Sequence, residues 1–283
     1  MKPIRFSFLA RLSAYGAILM FALLCTVATA QADDEVVLPS QVQQGAMVIG
    51  KVPPGSRVVY DGRTLDVTDY GTIVFGIGRD ASGSARVEIT PPGGTSRQAH
   101  VAITPRDFPV ERINGVPPKT VSPPAAVAKR IARERAQVTK ARVTSNDGLG
   151  FAEHFIWPVR GRISGRFGNQ RVYNGKPGSA HSGMDIAAST GTPVKAPAAG
   201  TVVLAEPDLY FTGGTILIDH GYGIGSNFLH LSQLDVAVGD TVAQGEVIGE
   251  VGATGRATGP HLHWGMTWFG TRIDPLLVLE RAG

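Results

Sequence analysis

The hydrophobic positions of this chain fall mostly in short runs of strand length. Val36-Val37-Leu38, Ala46-Met47-Val48-Ile49, Arg57-Val58-Val59-Tyr60, Thr72-Ile73-Val74-Phe75, Arg86-Val87-Glu88-Ile89 and Ala99-His100-Val101-Ala102-Ile103 are rich in β-branched residues. Asp61-Gly62 and Pro91-Pro92-Gly93-Gly94 supply turns between neighbours. Runs at this spacing predict a small immunoglobulin-like β-sandwich over residues 33–113. A Pro-rich linker is expected over residues 114–150, marked by Pro117-Pro118 and Ser122-Pro123-Pro124. Ser122 is placed to cap a helix with Pro123 at its first position. That helix is expected from about Ala125 to Val143. Val127, Ile131 and Val138 give it a narrow apolar stripe, and Lys129, Arg130, Arg133, Arg135, Lys140 and Arg142 a basic surface. Charge runs usually mark solvated faces, so a helix lying against one domain is preferred to one that grips an anionic polymer. Residues 151–283 return to short strands, among them residues 193–197, 200–204, 215–219 and 239–242. Gly245, Gly249, Gly252, Gly255 and Gly259 punctuate the approach to His261. An antiparallel sheet with long loops is the natural reading of this second domain. The fold class is therefore mainly β.

The first residues change the picture of where the chain works. Lys2, Arg5 and Arg11 precede an apolar run from Tyr15 to Val27, then Ala28-Thr29-Ala30 and acidic Asp33, Asp34 and Glu35. This is the layout of a cleavable secretory signal over residues 1–32. The run is short of the roughly 20 residues that span a bilayer, so no stable membrane anchor is expected after cleavage. Cys25, the only cysteine, falls inside the apolar run, which leaves the mature chain without a disulfide or a thiol nucleophile. Net charge is +4. A basic balance suits an anionic partner, but no basic-aromatic pattern of a nucleic-acid module is visible, and nucleic acid is not expected.

Four of the seven histidines converge in the last third of the sequence. His181 and Asp185 stand four apart in His181-Ser182-Gly183-Met184-Asp185. Gly183 between them favours a turn, or a strand entering a bend, over a helix. His230 lies further on, in Phe228-Leu229-His230-Leu231. His261 and His263 stand two apart in Gly259-Pro260-His261-Leu262-His263, so on a strand they share a face. Two His nitrogens and one carboxylate are the usual donor set of a catalytic zinc site, with a fourth position left to water. One of His261 and His263 can bind the metal while the other stands beside it. Hydrolysis of an amide also needs a base near neutrality, for which His261 and His230 are the candidates.

The ordered set of motifs resembles the lysostaphin-type (LytM-like) zinc metallopeptidases. It comprises His181-x-Gly183-x-Asp185, Gly191-Thr192-Pro193-Val194, Ala199-Gly200, Asp219-His220-Gly221, His230-Leu231, Gly239-Asp240-x-Val242-x-x-Gly245 and Thr258-Gly259-Pro260-His261-Leu262-His263. The resemblance runs from about Ile156 to Leu277. It implies a small antiparallel β peptidase domain over residues 151–283 and one Zn2+ per chain held by His181, Asp185 and His263. It also implies catalytic roles for His261 and His230. The implied activity is endopeptidase cleavage of peptidoglycan peptides outside the cytoplasm, with a periplasm favoured over a wall-associated or extracellular site. The implied alternative is a non-catalytic relative that binds wall or activates another hydrolase. Protein partners are not readable. Phe228 stands where the family often has Tyr, and Gly265 where a Glu is common. His220 is expected to be structural and His154 incidental. Arg160, Arg162, Arg166 and Arg171 could line the groove or form a basic surface loop.

Overall fold

The computed structural model describes residues 35–281. The secretory-signal reading of residues 1–32 lies outside them. The described residues belong to one compact unit.

The first strands coincide with the hydrophobic runs. Gln41–Gln43, Arg97–Thr104, Ser84–Thr90, Arg57–Tyr60 and Arg63–Leu65 form a five-stranded sheet in that order. In Ser84–Thr90 the alternation is complete: Ala85, Val87 and Ile89 are buried, and Arg86 and Glu88 between them are exposed. Asp61 and Gly62 both have positive φ, 50° and 72°, as the two central residues of a tight hairpin turn do. Met47–Lys51 pairs antiparallel with Thr72–Gly76. The run over residues 36–38 makes only an isolated bridge, between Val37 and Lys51.

The helix is where the local expectation needs correction. Ser122 does not cap it. Ser122 instead closes a four-residue helix, Pro118–Val121. Pro124 lies beyond it in extended backbone, and Ser122 and Pro123 each precede a proline, which disfavours helical conformation in them. A 3-10 turn, Ala125–Val127, then leads into the α-helix Ala128–Arg142. Its buried residues are Glu134 and Ala141, with Val138 partly packed beside Ala141, Leu204, Leu209 and Leu217. Glu134 accepts from Arg130 Nε (2.5 Å) and from the Tyr210 backbone N–H (2.8 Å). A basic helix is thus docked through its one buried acid.

The larger sheet runs Thr241–Val242, Gly200–Leu209, Gly213–Asp219, Ile224–Leu231, His261–Trp268, Met184–Ala187 and Arg162–Gly165, with Thr271–Ile273 also paired to His261–Trp268. Gly213–Asp219 is buried at every position, between the neighbouring strands Gly200–Leu209 and Ile224–Leu231. The same hydrophobic core contains Ile73 and Phe75 from the first strands and Trp264, Trp268 and Ile273 from the last. Tyr60 meets Trp268 with ring centroids 5.5 Å apart. Each such large apolar side chain contributes about 1.5–3 kcal/mol when fully buried, so contacts of this kind hold the two halves of the sequence together. Among the described residues no helix is long and apolar enough to cross a membrane.

One pairing reaches the site directly. Val110–Ile113 lies parallel to Gln170–Tyr173, with Glu111 opposite Arg171. It brings an acid from the first part of the chain beside the loop that leads into His181.

Candidate metal centre

Three elements bring the donor atoms together. Met184–Ala187 pairs antiparallel with His261–Trp268, and the register sets Asp185 opposite His263. His181 lies in the turn before Met184, held by its backbone N–H to the Asn169 carbonyl (2.8 Å). His181 Nδ1 donates to the Arg166 carbonyl (2.9 Å). A carbonyl only accepts, so Nδ1 carries the proton and Nε2 presents a lone pair. That Nε2 lies 3.0 Å from Asp185 Oδ1 and 3.0 Å from His263 Nδ1, while His263 Nδ1 lies 2.9 Å from Asp185 Oδ1.

Two ring nitrogens and a carboxylate oxygen therefore converge on one point. All three residues are buried, with exposures of 4%, 6% and 4% for His181, Asp185 and His263. His263 Nε2, on the far side of its ring, is buried without a hydrogen-bond partner, so the ring's polar contacts lie on the Nδ1 side. A lone pair facing a carboxylate in a dry site is unfavourable unless a cation sits between them. The nitrogen, nitrogen, oxygen set is one that zinc takes, and the residues fit that ion. Burial alone would raise the Asp185 carboxyl, but His181 and His263 outweigh it and hold it well below the usual range. Burial pushes His263 down to about 3.

Asp185 is also supported from behind. Its Oδ2 pairs with Arg171 Nη2, and Arg171 Nε lies 3.4 Å from Glu111 Oε2. Glu111 Oε1 accepts from Asn169 Nδ2 (2.6 Å). Gly165 leaves room for this pair: a Cβ there would stand 2.6 Å from both Asp185 Oδ2 and Arg171 Nη2. Of the four arginines flagged ahead of His181, Arg160, Arg162 and Arg166 are exposed, with Arg162 lining the cavity that contains Asp185 and His261, while Arg171 is committed to the centre.

The remaining two histidines flank the donors. His261 lies on the same strand face as His263, with Nε2 3.9 Å from Asp185 Oδ1. Its Nδ1 donates to the Gly259 carbonyl (2.8 Å), which leaves Nε2 as the lone-pair nitrogen. His230 arrives by a different device. Its neighbour Leu229 is paired with His263, and regular alternation would send His230 to the opposite face. Instead His230 has φ 66°, in the left-handed region that non-glycine residues seldom occupy. The kink brings its ring to 4.8 Å from that of His261, centroid to centroid. His230 Nδ1 donates to the Thr254 carbonyl (2.8 Å). Burial, reinforced by His261, lowers His230 to about 4, so its ring is neutral at pH 7.

The centre opens into two cavities. One of about 660 Å³ is lined by His181, His230 and His263, the other, about 480 Å³, by Asp185 and His261. Arg171 lines both.

The other flagged residues sit as their surroundings dictate. His220 is buried, with Nδ1 against the Ala199 carbonyl (2.8 Å) and Nε2 against Ser226 Oγ (2.8 Å), away from the donors. His154 is exposed. Phe228 is fully buried. A side chain at Gly265 would put its Cβ 2.7 Å from Asn227 Nδ2 and 3.0 Å from the Ser182 carbonyl, so Asn227 fills the space that a Glu would need. Sequence reasoning passes over Glu111 and Asn169, which carry no motif: Glu111 meets the site through strand pairing, and Asn169 through its bonds with the His181 backbone and Glu111.

Residues 179–275 match Peptidase family M23. A crystal structure from Pseudomonas aeruginosa described as a peptidase M23 superposes with a TM-score of 0.63 at 34% identity, covering 83% of this chain and 93% of that one. The cell division protein DipM of Caulobacter vibrioides is 31% identical over 203 residues, 70% of this chain and 32% of DipM. The peptidoglycan DD-endopeptidase ShyA of Vibrio cholerae is 37% identical over 116 residues, 41% of this chain and 27% of ShyA. The chain thus spans about a third or less of the length of these curated relatives.

Proposed function

Because the chain belongs to peptidase family M23, we propose that it is a zinc-dependent endopeptidase that cuts peptide bonds in the cross-links or stem peptides of bacterial peptidoglycan. The observation that carries this reading is the 2.9–3.0 Å convergence of His181 Nε2, His263 Nδ1 and Asp185 Oδ1, with two further histidines beside it. These three residues would hold one zinc ion. Bound there, zinc supplies a water of lowered pKa and polarises the scissile carbonyl.

The chain's own groups account for the proton movements. In His261 and His230 the Nδ1 proton is tied to a backbone carbonyl. Each Nε2 is then free to accept a proton from the attacking water and return one to the leaving amine. Arg171 orients Asp185 from behind. The left-handed turn at His230 holds its ring in place without a side-chain partner.

The reading includes export to a periplasm, supported by the pattern of residues 1–32 and testable by cell fractionation. Muropeptide mass spectrometry after digestion of isolated cross-linked sacculi tests the activity. New peptide ends that depend on zinc are expected. A folded, zinc-loaded protein that releases none, beside an active control endopeptidase, would sink the proposal in favour of a wall-binding scaffold.

A further inference from the structure

The larger cavity beside the metal centre is lined by Arg79, Arg135, Arg142, Arg171, Arg256 and Arg272, against a single acid, Asp80. Three of these arginines are occupied. Arg79 pairs with Asp80, Arg171 with Asp185 and Glu111, and Arg256 stacks on Tyr173 and Phe211. Arg135 is exposed on the helix. Arg142 and Arg272 differ from all of these. Each is recessed in the cavity wall, and neither forms an ion pair with a carboxylate among the described residues. Arg142 Nε is buried with no hydrogen-bond partner. Arg272 has one long hydrogen bond, from Nη1 to Asn227 Oδ1 at 3.4 Å. Asn227 is 2% exposed, and its Nδ2 is buried and also without a partner.

Two elements thus bring guanidiniums to one cavity, the end of the helix Ala128–Arg142 and the strand Thr271–Ile273, and Asn227 of the strand Ile224–Leu231 accepts from Arg272. Burial lowers both guanidiniums, Arg142 to about 9 and Arg272 to about 10, and the proximity of Arg272 adds to the effect on Arg142. Unpaired buried charges of like sign and unmet N–H donors are costly together. A planar anion in the cavity would offset the paired positive charge, since guanidinium forks match carboxylates in geometry and charge.

We infer that Arg142 and Arg272, the latter bonded to Asn227, form a carboxylate-binding subsite that takes a free carboxylate of a peptide stem lying in the groove. The inference rests on the peptidoglycan reading above for the identity of the peptide. Arg142 stands outside residues 179–275, so the helix that precedes the peptidase segment completes the groove.

Binding of two probes to the full zinc-loaded chain tests this by calorimetry. One probe is a tetrapeptide stem with its carboxylates free; the other is the same peptide with every carboxylate amidated. The free acid is expected to bind at least about 10-fold tighter. Arg142→Gln and Arg272→Gln should each erase most of that preference, whereas Arg135→Gln should change it less than about threefold. Equal binding of the two probes by the unaltered protein, or no binding of either, overturns the subsite without involving any variant. So does an equal loss in Arg135→Gln, which would show a general charge effect. Cleavage of sacculi is scored separately, so that a protein that cleaves without preferring the acid refutes the subsite alone. A protein that prefers the acid but does not cleave refutes the catalytic reading alone.

Discussion

Replacing Arg171 by Gln is the sharpest way to test whether the centre is held together from behind. Arg171 Nη2 pairs with Asp185 Oδ2 in a buried setting, with side-chain exposures of 11% and 9%. A charge-assisted hydrogen bond of this kind is worth about 1.5–3 kcal/mol. Removing one member of a buried pair can cost about 3–5 kcal/mol when the other is left alone. Asp185 is not left alone, because His263 Nδ1 still faces its Oδ1 at 2.9 Å. The lower range therefore applies, and metal-free Arg171→Gln should lose about 2 kcal/mol in urea unfolding. A second effect separates positioning from simple stability. Partners behind a metal ligand typically matter about 10–100-fold in metal affinity, or about 1.4–2.7 kcal/mol. Zinc titration should therefore show a weaker Kd, and the gain in stability on adding zinc should shrink to match. Glu111→Gln should change in the same direction with a smaller effect, since its contact with Arg171 Nε is 3.4 Å long. An unchanged zinc Kd in Arg171→Gln would refute the positioning role, and unchanged metal-free stability would refute the energetics of the pair.

The same geometry sets three further outcomes. His181→Ala, Asp185→Asn and His263→Ala should each abolish stoichiometric zinc in elemental analysis; full retention by any one would remove it from the donor set. His261→Ala and His230→Ala should keep their zinc while kcat/KM falls by about 10²–10⁴-fold, and near-normal rates would show that the proton carrier lies elsewhere. His220 is held down at about 4 by burial, below its unfolded value near 6.5. The unfolded chain therefore binds more protons between those values, and this group's contribution to stability is present above pH 6.5 and lost as pH falls towards 4. His220→Gln should flatten the acid limb of stability in that window. Urea unfolding at several pH values checks this, and parallel limbs would contradict it.

Much of the site is legible in the sequence because the relevant constraints are local. Strand period alone puts His261 and His263 on one face, and Gly183 between His181 and Asp185 points to a bend rather than a helix, as the structure has it. The short β-branched runs locate most strands for the same reason: burial of alternate side chains is written residue by residue. Ser122 misleads because a cap signal is only as good as the backbone after it, and Pro124 forbids the helical start that a cap would need.

What the linear chain by itself determined is the kind of atoms available for chemistry: two imidazoles and a carboxylate that suit zinc, two spare imidazoles, and no thiol after Cys25. Tertiary structure decided which of their faces meet. His230 reaches the cluster through a left-handed backbone turn that alternation argues against, held by the Thr212 and Thr254 carbonyls. Glu111 reaches Arg171 through a parallel pairing between segments far apart in sequence. Arg142 and Arg272 become an unpaired couple only when helix and strand pack along one groove. Such contacts leave no periodic trace, because their energy depends on distance and burial in the folded molecule and not on spacing along the chain.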